Sequence, residues 1–125
     1  MISKKELRYL VVIAELGEEA RLSKISERIG VKPPSALEEI NHLISKGLVF
    51  RLNNLVKLTE KGKEEVKRVE RAHRIIEYVF YNGGMNIERA CEIASELDCL
   101  FPSDAIEALF ITAGRPKKCP HGKDI

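Results

Sequence analysis

Residues 21–62 constrain this chain more than any other stretch. They read RLSKISERIGVKPPSALEEINHLISKGLVFRLNNLVKLTEKG. Leu22, Ile25 and Ile29 recur at helical spacing, which predicts a short amphipathic helix over 23–29. Gly30 ends it, because glycine accepts the positive φ of a helix C-cap. Pro33 and Pro34 follow at once. Proline suits the first turn of a helix, where the amide it lacks would be unpaired anyway, so a second helix is expected over 34–46. Leu37, Ile40, Leu43 and Ile44 mark its inner face, and Gly47 closes it. Residues 48–52 and 55–58 then read as two short strands around Asn53-Asn54, a pair suited to a tight hairpin. Helix, turn, helix and hairpin in this order form a winged helix-turn-helix, whose second helix is shaped for a DNA major groove.

The flanking segments are helical. Leu7, Leu10, Val11 and Ala14 predict a helix over 4–16, broken at Gly17. Thr59 is expected to cap a long helix reaching Asn82, where Gly83-Gly84 stops it. Asn86 caps a further helix to about residues 97–99, and Pro102-Ser103-Asp104 opens a last one that ends at Gly114. The residues beyond read as irregular. The expected fold class is mainly α with a small β-hairpin.

Charge distribution supports the groove-reading assignment weakly. Residues 1–62 hold eleven Lys/Arg against eight Asp/Glu, and residues 63–125 hold ten against eleven. The positive surplus therefore lies with the helix-turn-helix. Expected contacts to operator DNA are Pro34, Ser35, Ala36, Glu39 and His42 along the reading helix, with Ala36 meeting a thymine methyl. Lys32, Lys46, Arg51 and Lys57 would neutralise phosphates, which makes affinity fall with salt. Glu38 and Glu39 oppose this reading, since carboxylates near phosphates repel.

The charged N-terminus MISKKELRYL does not read as a secretion signal. No apolar run approaches the roughly 18–20 residues that span a bilayer. The odd set Cys91, Cys99 and Cys119 fits a reducing, cytoplasmic setting in which thiols are free or metal-bound.

A second pattern lies in the C-terminal half. His73 and Glu77 share a helical face at i,i+4, and Glu92, Glu96 and Cys99 share one on the next helix at i, i+4 and i+7. Two adjacent helices could aim this imidazole, these carboxylates and this thiol at one divalent transition ion. Fe²⁺ and Mn²⁺ lead the candidates, with Zn²⁺, Co²⁺ and Ni²⁺ also suited. The bland alternative is a solvated His–Glu pair, surface glutamates and small buried cysteines. Cys119-Pro120-His121 adds two donors in a loop, read first as chain packing.

The runs LVVIAELGEE, IGVKPPSALEEINHLISKGLV, VKLTEKGKE, RAHRIIEYV, FPSDAIEAL and CPHG cover almost the whole chain. In them the chain resembles the diphtheria toxin repressor family, which includes iron-dependent repressors and manganese transport regulators. LTEKG followed by RAHR at this distance is a fairly specific carrier. The resemblance implies a homodimeric, metal-dependent repressor that binds palindromic operator DNA. Residues 1–62 would be the winged helix-turn-helix DNA-binding domain, and residues 63–125 the helical metal-binding and dimerisation domain. Family ligand positions fall on His73, Glu77, Glu92 and Glu96. A following Glu-His pair falls on Cys99 and Leu100 when no gap is inserted, and the ligand from the first helix falls on Arg8. Leucine and arginine cannot ligate, which would leave one site lost or rebuilt. The Arg8 guanidinium is expected to pair with Glu96 instead.

Two other readings compete: a winged-helix regulator that needs no metal, favoured by Arg8 and Leu100, and a winged-helix protein–protein adaptor, favoured by Glu38 and Glu39. No nucleophile–base pattern, phosphate-binding glycine loop or cofactor fingerprint points to an enzyme.

Overall fold

The computed structural model describes residues 2–125. Its elements run α1 (Lys4–Leu16), a 3₁₀ turn (Gly17–Glu19), α2 (Leu22–Ile29), α3 (Pro33–Ser45), β1 (Val49–Leu52), β2 (Leu55–Leu58), α4 (Glu60–Asn82), α5 (Ile87–Leu97) and α6 (Ser103–Thr112). The chain divides into two compact units, 1–66 and 67–125, with the boundary inside α4.

In the N-terminal unit, α1 begins with a reciprocal cap. The Ser3 hydroxyl accepts from the Glu6 amide, and the Glu6 carboxylate accepts from the Ser3 amide. α1 packs on α2 and β2, and α3 packs on α2 and β1. Leu7, Leu10, Ile25, Ile40, Leu43 and Leu48 are all fully buried there. β1 and β2 pair antiparallel from Val49↔Leu58 to Leu52↔Leu55, and Asn53 takes the positive φ that the turn demands. Thr59 joins hairpin to helix: its amide donates to the Leu48 carbonyl, its hydroxyl donates to the Gly47 carbonyl and accepts from the Gly62 amide. A side chain at Gly62 would collide with that Leu48 carbonyl, which explains the glycine of LTEKG.

The reading helix is rotated from the sequence expectation. Its inner stripe is Ala36, Ile40 and Leu43, while Ile44 is exposed and Leu37 only half-buried. Ala36 is therefore a core residue and cannot meet a thymine methyl.

In the C-terminal unit, Ala72, Ile75 and Ile76 of α4 bury against Ala94 of α5 and Ile106 of α6, with Phe80, Leu97, Phe101, Leu109 and Phe110 around them. The Asn86 side chain caps α5 by accepting from the amides of Glu88 and Arg89. Arg71 stacks on Phe110 and forms a two-pronged pair with Glu107. That pair holds the Glu107 carboxyl below its ordinary value. The end of the chain is ordered by its own bonds. Cys119–Gly122 makes a tight turn, with the Gly122 amide donating to the Cys119 carbonyl and Gly122 at φ 83°. The Cys119 amide donates to Lys123, and Lys118 bridges to Asp124.

Candidate metal centre and nucleic-acid interface

Glu77 is the centre of the C-terminal site. It lies on α4 among the apolar residues that build the core and is 1% exposed. A carboxylate so placed needs cationic or hydrogen-bonding partners. His73, one turn earlier, brings Nε2 to 3.4 Å from Oε2. His121, carried in by the C-terminal turn, brings Nδ1 to 2.8 Å from Oε1. Cys91 of α5 places its sulfur 3.6 Å from His73 Nε2. One donor atom each from His73, Glu77 and Cys91 lie within 4.8 Å of one another.

The other ring nitrogen of His73 faces Asp98, with Nδ1 3.3 Å from Oδ2. In the tautomer protonated at Nδ1, that N–H would point at Asp98 and the Nε2 lone pair at Glu77 and Cys91. This is how metal-binding imidazoles are commonly oriented. Cys99 donates its thiol to the second oxygen of Asp98, at 3.2 Å. Cys119 is buried, and with Glu77 it helps hold the Cys91 thiol above its ordinary pKa, although burial is the larger cause. A bound divalent ion would reverse that preference and favour the thiolate.

The structure brings His73 and Glu77 together as expected from their spacing, and it turns α5 differently. Glu92 is exposed and pairs with Arg89, its Oε2 3.1 Å from Nη1, and Glu96 is exposed as well. Neither stands on the face that carries Cys91 and Asp98. Cys99 contacts Asp98, which in turn faces His73. α5 and its C-cap thus turn Cys91 and Asp98 toward His73, and leave Glu92 and Glu96 exposed. The buried residues Ala90 and Ala94 are the sequence signal that would have fixed this face. His121 lacked such a signal, because only the turn geometry brings it to Glu77.

On the winged-helix unit, Lys32, Pro34, Ser35 and Arg51 are exposed. His42 is half-exposed, its Nε2 3.7 Å from Glu6 Oε2. Lys46 and Lys57 are already paired. The Lys46 ammonium lies 2.7 Å from Glu6, and Lys57 lies 3.2 Å from Glu18. Glu39 is largely covered and faces Lys5 at 3.5 Å, so its charge is partly answered within the unit. Asn41, which the sequence reading passed over, is exposed on α3 between Glu38 and Ser45, and its amide can both donate to and accept from base edges.

Comparison with known proteins places this geometry in context. The family model for the iron dependent repressor, metal binding and dimerisation domain matches residues 59–125. A protein of Aeropyrum pernix described as an uncharacterized HTH-type transcriptional regulator is 30% identical, over 95% of this chain and 69% of its own length. The crystal structure of a hypothetical protein from Sulfolobus solfataricus superposes with a TM-score of 0.87 at 33% identity, covering 99% of this chain and 98% of that one. The crystal structure of ScaR with bound Zn²⁺ gives a TM-score of 0.85 at 28% identity, over 96% of this chain and 58% of ScaR.

Proposed function

This chain belongs to the iron-dependent repressor family of metal-dependent transcriptional regulators, and on that premise we propose that it binds palindromic operator DNA as a homodimer and represses metal-homeostasis genes when loaded with a divalent ion. The observation that carries the metal half is the buried Glu77 carboxylate held between His73 and His121, with the Cys91 sulfur beside His73. His73, Glu77 and Cys91 would hold the ion. His121 and Cys119 would complete its surroundings from the C-terminal turn, and Asp98 would orient His73. When bound, the ion supplies positive charge to a buried carboxylate and links α4, α5 and the terminal turn. The donor set mixes imidazole, carboxylate and thiol, which suits Fe²⁺ or Zn²⁺ better than Mn²⁺.

The DNA half rests on the exposed row of α3, namely Ser35, Glu38, Asn41, His42 and Ser45, with Lys32 and Arg51 free to meet phosphates. Two such helices in a dimer would read half-sites related by the protein two-fold. Metal and DNA are then linked. An ion that binds the DNA-competent state better raises DNA affinity by the factor that DNA raises metal affinity, typically about 5–150-fold.

The test is an anisotropy titration of the chain's own promoter DNA, with metal-free protein and after adding Fe²⁺, Zn²⁺ or Mn²⁺. A tighter, salt-sensitive curve with metal is expected. Superimposable curves would remove the metal switch, and no binding at low salt would favour a protein-binding adaptor.

A further inference from the structure

We propose that Glu6, Glu39 and His42 form a second divalent-cation site, in the winged-helix unit, that ties α1 to the reading helix α3. One donor atom from each of the three lies within 4.8 Å of the other two. Glu6 projects from α1, while Glu39 and His42 come from successive positions on one face of α3.

Glu6 is 5% exposed, and among the described residues the one partner of its buried Oε2 within hydrogen-bond distance is the Lys46 ammonium, at 2.7 Å. Its Oε1 is occupied by the Ser3 amide at 3.0 Å, so the two oxygens have separate duties: one caps α1 and the other faces α3. Positive charge already gathers at Oε2. Lys46 Nζ is 2.7 Å away, and His42 Nε2 is 3.7 Å away. Lys5 stands 3.5 Å from Glu39. The cluster is thus built to hold about two positive charges against two carboxylates, and one divalent ion can replace both ammonium groups without changing the balance.

Two carboxylates and one imidazole suit Mn²⁺, Fe²⁺ or Zn²⁺, with water filling the open positions. This donor set is harder than the thiol-containing one near His73, so Mn²⁺ separates the two sites best. The consequence for function follows from the exchange. An ion on Glu6 and Glu39 releases Lys46 and Lys5, and two freed cations beside α3 can neutralise up to two more phosphates. The salt slope of DNA binding would then steepen by up to about two.

The three histidines of the chain give a direct readout, since each contributes its own ring signals to a proton spectrum. The full-length protein is titrated with Mn²⁺ alone and the ring resonances followed, with free Mn²⁺ counted by electron paramagnetic resonance. The same titration is run on a Cys91→Ser/His73→Gln variant, which disables the C-terminal centre. Saturable broadening of the His42 ring in both proteins, weakened tenfold or more by Glu39→Gln, is the expected result. Glu39→Gln keeps the side-chain shape, and His42→Gln on a half-exposed position provides a second variant should it fold poorly. A His42 ring that stays sharp while Mn²⁺ is bound elsewhere overturns the site and leaves the C-terminal centre standing. Unchanged affinity in both folded α3 variants overturns it as well.

Discussion

The Nδ1 atom of His121 lies 2.8 Å from Oε1 of Glu77, joining positions 44 residues apart. The contact makes the C-terminal turn part of the candidate metal centre. Gly122 adopts its positive φ so that the Cys119–Gly122 turn can close, and the closed turn buries Cys119 while delivering His121 to the carboxylate. Replacing His121 by alanine removes one of two imidazoles around a buried acid. Divalent-ion affinity should drop about 10–100-fold, the usual cost of losing a group that orients or completes a metal site. Competition with a chromophoric chelator measures this. Unchanged affinity would return the turn to a packing role.

Cys91 decides the chemical character of the centre. Its sulfur is 3.6 Å from the ring nitrogen of His73 that faces Glu77. Bound Co²⁺ should therefore give a near-ultraviolet thiolate-to-metal charge-transfer band. Cys91→Ser should abolish that band and shift preference from Zn²⁺ toward Mn²⁺, because an alcohol is a harder, weaker donor than a thiolate. If the band survives in Cys91→Ser and disappears in Cys119→Ser, the thiol ligand comes from the turn.

The rotation of α5 separates two carboxylates that the spacing alone treats alike. Glu92 is exposed and engaged by Arg89, whereas Asp98 is buried against His73 Nδ1. Glu92→Gln should leave metal affinity within about twofold, as expected of a surface pair. Asp98→Asn keeps the shape but can present its amide to His73, which disfavours the tautomer that aims Nε2 at the site. A loss of about tenfold or more is expected. Isothermal titration of both variants with Zn²⁺ decides which face of α5 serves the site, and a large effect at Glu92 alone would restore the face expected from spacing.

The backbone plan was legible because its punctuation is chemical. Gly30, Pro33, Gly47, Asn53 and Asn86 act through φ restrictions and capping bonds that depend on a few neighbours. Face assignment was harder, because α5 offers two donor-bearing stripes only about a third of a turn apart. Glu92, Glu96 and Cys99 form one, and Cys91 with Asp98 belongs to the other. The small residues Ala90 and Ala94 choose between them by letting α5 approach α4, a packing effect that donor spacing does not contain. The same cause displaced Ala36, whose small side chain reads as surface until Ile40 and Leu43 place it in the core. His121 was legible only as a donor. Its position depends on a chain reversal that brings the last residues back to α4.

The buried acid of the N-terminal unit gives the stability of the fold a defined acid limit. Burial alone would raise the Glu6 pKa, but the Lys46 ammonium and the Ser3 amide and hydroxyl outweigh it and bring the pKa from 4.5 down to about 2. A folded-state pKa below the unfolded value means that the unfolded chain takes up the proton first as pH falls. The contribution of Glu6 is therefore fully present above about pH 4.5 and is lost as pH falls toward about 2. Its size is on the order of 3 kcal/mol. Urea unfolding of wild type and Glu6→Gln, compared between about pH 6 and about pH 2.5, should show a stability gap that narrows on acidification. A gap that stays constant across that range would mean that the Glu6 proton equilibrium is the same in folded and unfolded chains, and that its ion pair with Lys46 contributes nothing to the fold.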